Sequence, residues 1–168
     1  MRAAFHCFIF LLLAATLSAA EPALKVSFAD KTLTFTPEEF SALPHSDLTA
    51  LDAHAQKEHL YTGVTVNELL ARAGVPLGEK LRGAALQLVV VLHSRDGYAV
   101  SYAVAEFDDA FSSRTLLLAE KEDGKPLAEN AAPFRLIAPG DKKGARWARM
   151  VNWIEVVSAG TPSTKTKS

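Results

Sequence analysis

The segment PFRLIAPGDKKGARWARMVNWIEVV, Pro133 to Val157, constrains this chain more than any other. An apolar run, Phe134–Ala138, breaks at Pro139–Gly140, and a second run, Trp153–Val157, begins beyond a loop of charge. β-Branched and aromatic runs punctuated by proline and glycine read as strands, so the segment predicts two strands joined by a basic loop. The loop carries Lys142, Lys143 and Arg146, with Arg135 before it and Arg149 after it, and Asp141 alone opposes them. Gly140 and Gly144 free the backbone so that successive N–H groups can face one ligand, which the cations neutralise. That pattern predicts a seat for a phosphate or another oxyanion. A solvated basic hairpin is the competing reading.

The other end of the chain argues for export. Met1–Arg2 supplies a positive start, Phe8–Leu17 an apolar stretch, and Ser18-Ala19-Ala20 the small residues of a cleavage site. This predicts a signal peptide over residues 1–20, removed before Glu21, and hence a periplasmic or secreted protein. The apolar stretch is too short for a comfortable membrane span, and no stable span is expected in the mature chain. Cys7 is the one cysteine of the sequence and falls within the leader. The mature protein is therefore expected to have no disulfide, no thiolate metal ligand and no cysteine nucleophile. Loss of Arg2 takes the formal net charge of −1 to about −2, which gives no reason to expect a nucleic-acid partner.

The remainder is long enough for one domain with a real core, expected over residues 21–159. GTPSTKTKS, residues 160–168, has no apolar content and is expected to be a disordered tail. Leu24–Ala29 and Thr32–Phe35 predict a hairpin. Thr36-Pro37-Glu38-Glu39 and Thr65-Val66-Asn67-Glu68 each predict a helix start with a capping box. The second helix sets Val66, Leu69, Leu70 and Ala73 on one face and stops at Gly74. Leu48–His54 is a weaker strand signal. Leu86–Leu92 predicts a buried strand, Tyr98–Val104 its hairpin partner, Ala105–Phe111 a helical turn and Thr115–Glu120 another strand. Strands outnumber helices, so the class is α+β: one domain with a mixed, largely β core and a few short helices.

Four stretches in order resemble the oxidoreductase molybdopterin-binding domain family, the fold of sulfite oxidases and of the periplasmic methionine sulfoxide reductase catalytic subunit. They are YTGVTVNELLARAGV (Tyr61–Val75), SRDGYAVSYAVAEF (Ser94–Phe107), LLLAEKEDGKPLAENAAPFRL (Leu116–Leu136) and the basic segment above. The resemblance implies a sulfite-oxidase-like fold, a molybdenum cofactor, two-electron oxygen-atom transfer and a redox partner protein. It sets the basic loop against the pyranopterin and its phosphate, with Arg135, Gly140, Lys142, Lys143, Gly144, Arg146 and Tyr98 as the cofactor-binding candidates and Lys143 and Arg146 as anion holders. It also implies a cysteine thiolate on molybdenum, from the stretch before the Gly-Val block. The corresponding stretch here, DLTALDAHAQKEHL (Asp47–Leu60), has none. A soft thiolate is not closely replaced by carboxylate or imidazole, so the resemblance stops short of assigning catalysis.

Asp52, His54, Glu58 and His59 in that stretch are candidate zinc or iron ligands by donor type; the spacing matches no helix face, and a solvated loop is the competing reading. His45 and His93 are isolated, and Ser101 has no nucleophile elbow around it. Three functions stand open: a molybdopterin-dependent oxidoreductase; a non-catalytic module that keeps the fold and binds a phosphate-bearing small molecule, a pterin or a partner protein; and, ranked below both, a His/Asp metal-binding protein.

Overall fold

The structure, a computed model, describes residues 23–52 and 55–160. The predicted signal peptide, residues 161–168 of the predicted tail and His54 lie outside the described residues.

The chain opens with a hairpin, β1 (Leu24–Phe28) and β2 (Lys31–Phe35). The helix α1 (Pro37–Ser41) follows, with Thr36 and Glu39 forming both bonds of a capping box. Next come β3 (Ser46–Asp52), β4 (Lys57–Thr65) and α2 (Val66–Ala73). Thr65 caps α2 by accepting the Glu68 N–H, and Gly74 closes it in the left-handed region at φ 86°, a conformation only glycine adopts at little cost. The predicted second capping box is half formed, because the Glu68 carboxylate turns to Arg72 Nε at 2.7 Å instead of back to the cap. β5 (Leu88–Ser94), β6 (Ala99–Ala103), β7 (Leu117–Glu122), the two-residue β8 (Lys125–Pro126), β9 (Arg135–Ile137) and β10 (Val151–Ser158) complete the order.

Two sheets result. In the first, the order is β2-β1-β10-β5-β6, and the β1–β10 pairing is parallel while its neighbours are antiparallel. In the second, β3-β4-β7 run antiparallel, and β9 and β8 pair with successive stretches of β7. α2 packs on β1 and β2 of one sheet and β4 of the other, so its apolar face of Val66, Leu69, Leu70 and Ala73 joins both to a single core. This is the α+β, largely β domain expected.

Two expectations change. β5 is buried on one face only, through Val90, Leu92 and Ser94, because its other face lines the outer side of the first sheet. Residues 57–65, read as a solvated loop over their first part, form the longest strand of the second sheet. Charged Lys57 and Glu58 hid it, since the strand's buried positions begin only at Tyr61. Gly63 makes its pairing possible: a Cβ there would collide with the Leu118 carbonyl oxygen on β7.

Candidate functional site

A cleft of about 750 Å³ opens where the end of β3, the β5–β6 turn and the basic loop between β9 and β10 meet. Its size is that of a small-molecule site. β9 is three residues long, and Arg135 at its start sends its side chain under the cleft, with 6% of that side chain exposed. Its Nη2 donates to Asp52 Oδ2 at 2.7 Å, and Nη1 reaches the Tyr61 hydroxyl at 3.4 Å and Glu122 Oε2 at 3.5 Å. The guanidinium sits between the rings of Tyr61 and Trp147, at 5.6 and 5.5 Å from their centroids. Among the described residues its Nε is buried without a partner, and an unpaired buried donor costs free energy that an acceptor would recover. Burial pushes the Tyr61 phenol up to about 12, against the opposing pull of Arg135.

Lys142, Lys143 and Arg149 stand around the same cleft. Among the described residues, none of the three takes part in an ion pair. The carboxylates at the cleft are both engaged: Asp52 binds Arg135, and Asp96 accepts the Tyr98 N–H at 3.0 Å within the β5–β6 turn. The cleft therefore carries uncompensated positive charge in a concave, partly dry setting, where it acts on an anion more strongly than at an open surface. Tyr98 lines the cleft and donates its hydroxyl to the Ala145 carbonyl at 2.7 Å, which ties the basic loop to the β5–β6 turn. Trp147 anchors the loop from below, its Nε1 donating to the Ala138 carbonyl at 2.8 Å.

Arg135, Lys142, Lys143, Gly144 and Tyr98 thus converge on one cleft, and two of the expected residues do not. Arg146 turns to the opposite side of the loop. Its guanidinium lies 3.9 Å from the Tyr102 ring centroid, with Glu106 Oε2 at 3.2 Å and Asp141 Oδ2 at 3.4 Å. Arg114, which the sequence analysis did not single out, completes that network by binding Glu106 and Asp141 at 2.7 Å each. Arg146, expected as an anion holder, does not line the cleft: two acids and an aromatic face engage its guanidinium. Gly140, at φ 87°, borders an adjoining shallow hollow beside Asp141 and makes the turn out of β9.

The metal candidates also separate. Asp52 belongs to Arg135, whereas His59 Nδ1 faces Asp123 Oδ2 at 2.8 Å and Glu122 Oε1 at 3.2 Å. No site joins Asp52 and His59 among the described residues. His93 stacks on Trp153 and bonds Glu155; His45 Nδ1 lies 2.7 Å from the Leu43 carbonyl, while its buried Nε2, 3.4 Å from Glu120, makes no hydrogen bond among the described residues.

These features define a sulfite-oxidase-like fold with a cationic cleft. The sequence model of the oxidoreductase molybdopterin-binding domain matches residues 23–165, and the chain belongs to that family. Among solved structures, the sulfane dehydrogenase SoxCD from Paracoccus pantotrophus is similar in fold, with a TM-score of 0.62 and 22% sequence identity. The match covers 88% of this chain and 41% of that one. No curated protein matches the sequence at a significant level.

The residues present fit one half of the group the family binds. Three unpaired cations and the orphaned Arg135 Nε suit a phosphate or another oxyanion. No described residue is a cysteine, and the side chains lining the cleft offer molybdenum only nitrogen and oxygen donors. The family's metal–thiolate bond has no candidate here, and no oxygen-transfer step is derived.

Proposed function

We propose that this chain is an exported, ligand-binding member of the molybdopterin-binding family, whose cleft holds a phosphate-bearing small molecule such as a pterin phosphate without a protein thiolate on any metal. The observation that carries this reading is the set of unpaired cations, Lys142, Lys143 and Arg149, above the half-satisfied Arg135. A lysine acts on phosphate as a point charge, and an arginine adds directed N–H bonds. The Phe8–Ala20 pattern supports export, and no helix of the described residues is long and apolar enough to cross a membrane.

Calorimetric titration with inorganic phosphate and with a pterin phosphate tests the reading. The double variant Lys142→Gln/Lys143→Gln should weaken binding about tenfold or more, with an unchanged melting point, because neither side chain makes an ion pair to lose. Undetectable binding of both ligands to the wild type would overturn it, as would equal affinity in the double variant.

Family membership and a cleft of this size also support a second reading: a molybdenum cofactor held through its own sulfurs, with a redox partner protein to exchange electrons. Metal analysis of protein from its own host separates the two. Stoichiometric molybdenum favours the second, and its absence with phosphate binding intact favours the first.

A further inference from the structure

We propose that His59, Glu122 and Asp123 form a binding site for a first-row divalent cation, distinct from the cationic cleft. Their ligand atoms, His59 Nδ1 and one oxygen of each carboxylate, lie within 4.8 Å of one another. Four-coordinate ligands about 2.1 Å from zinc stand about 3.4 Å apart along the edges of the tetrahedron. His59 Nδ1 is already 2.8 Å from Asp123 Oδ2 and 3.2 Å from Glu122 Oε1, so small side-chain rotations admit the ion.

The protonation count points the same way. One ring nitrogen faces two carboxylates, and it has at most one proton to share between them. One acceptor is left without a hydrogen bond from the ring. A divalent cation satisfies all three donors at once.

The ligands are also held from behind, as metal ligands need to be. Asp123 Oδ1 accepts the Leu60 N–H at 3.0 Å, which leaves Oδ2 for the ion. Glu122 Oε2 faces Arg135 Nη1 at 3.5 Å, which leaves Oε1. The backbone fixes their spacing: His59 is on β4, Glu122 ends the neighbouring β7, and Asp123–Gly124 make a tight turn with φ of 51° and 74°. Asp123 has nearly half its side chain exposed, so water has access to complete the coordination. One imidazole and two carboxylates with open positions suit zinc, and equally manganese or iron(II), by donor type.

The test is calorimetric titration of tag-free, chelator-treated protein with zinc chloride. The wild type should bind one equivalent. His59→Ala and Glu122→Gln should each weaken that binding at least tenfold. His93→Ala, which removes a histidine bonded to Glu155 on the other sheet, should bind as the wild type does. Melting curves without metal establish that each variant is folded, and Glu122→Gln keeps the shape of the side chain should His59→Ala prove unstable. X-ray absorption at the zinc edge should show nitrogen and oxygen neighbours and no sulfur. Absence of saturable binding in the wild type would overturn the proposal and leave a histidine–carboxylate pair closing the β4–β7 edge. Unchanged affinity in His59→Ala and Glu122→Gln would overturn it as well.

Discussion

Asp52→Asn separates what Arg135 does for the fold from what it does for a ligand. The carboxylate is buried, lies 2.7 Å from Nη2, and also accepts the Ala55 N–H through Oδ1 at 3.1 Å. Asparagine keeps the shape and one acceptor but removes the charge. Removing one member of a buried ion pair typically destabilises by about 3–5 kcal/mol, because the other charge is left uncompensated. Glu122 remains 3.5 Å from Nη1, so the lower end, about 3 kcal/mol, is expected here. For a domain of this size that corresponds to a melting point lower by roughly 10 °C. Phosphate affinity should move in the opposite direction. The variant frees an Nη2 donor beside the orphaned Nε and removes a negative charge from the cleft, so binding should tighten about tenfold, worth about 1.4 kcal/mol. Phosphate at a hundred times its dissociation constant should then restore roughly 2.7 kcal/mol of the lost stability by mass action. Thermal melts with and without phosphate, paired with calorimetry, read both effects. A variant as stable as the wild type would refute the uncompensated-charge reasoning. A weaker phosphate affinity would show that Asp52 aims Arg135 at the ligand, and would refute the view that the two compete for it.

Three further outcomes follow from contacts described above. Arg146→Ala should leave phosphate affinity within about twofold while costing about 1–2 kcal/mol in urea melts, the sum of a stacked cation and partly exposed ion pairs; a tenfold loss of affinity with unchanged stability would restore it as an anion holder. Gly63→Ala should prevent proper pairing of β4 with β7, seen as loss of soluble folded protein or a large drop in melting point; a normally stable variant would mean that the strands separate at little cost. The folded state keeps the Tyr61 proton up to a pH of about 12, against an ordinary value of 10.0, whereas the unfolded chain releases it above pH 10. Stability is therefore complete below pH 10 and should fall by about 2–3 kcal/mol as pH rises through 12, at 1.36 kcal/mol per unit. Urea melts between pH 9 and 12 should show that fall in the wild type and a shallower one in Tyr61→Phe; identical slopes would assign the alkaline loss to other groups.

Local signals were legible where the physics is local. The β1–β2 hairpin, the Thr36 capping box, the Thr65 cap and the Gly74 stop each lie within a few residues, and each stands where the sequence put it. The β-rich class followed from the same short-range patterns. What stayed hidden depends on partners far along the chain. The parallel pairing of Lys25 with Trp153 joins the two ends of the domain, and no period announces it. His59 meets Asp123 only because β4 lies beside β7, and the intervening sequence carries no sign of that. β4 itself was obscured because its first residues face water while its last are buried. In the basic loop, composition counted the cations correctly but gave no direction to them. A loop has no repeating face, so it is the acids Glu106 and Asp141 and the Tyr102 ring that turn Arg146 away while Lys142, Lys143 and Arg149 remain at the cleft.

The position of Asp52 gives the missing cysteine a physical meaning. The resemblance placed the thiolate somewhere in Asp47–Leu60, and the described side chains of that stretch that reach the cleft are Asp52 and Gln56. Neither is a soft donor, and Asp52 is committed to a buried guanidinium at 2.7 Å. A carboxylate in that state is a poor metal ligand, because coordination would strip Arg135 of its main counter-charge. The cleft floor thus holds an arginine whose Nη2 and Nη1 meet Asp52 and Glu122 and whose buried Nε has no hydrogen-bond partner among the described residues. Restoring a cysteine at position 52 would for that reason not restore a thiolate centre by itself. Asp52→Cys leaves Arg135 facing a thiol, and the guanidinium would either hold the thiolate as an ion pair or keep only the more distant Glu122 as counter-charge. A metal centre would need a change at Arg135 as well, and that coupling between the two positions is what the proposed anion-binding reading predicts and the mere loss of a ligand does not.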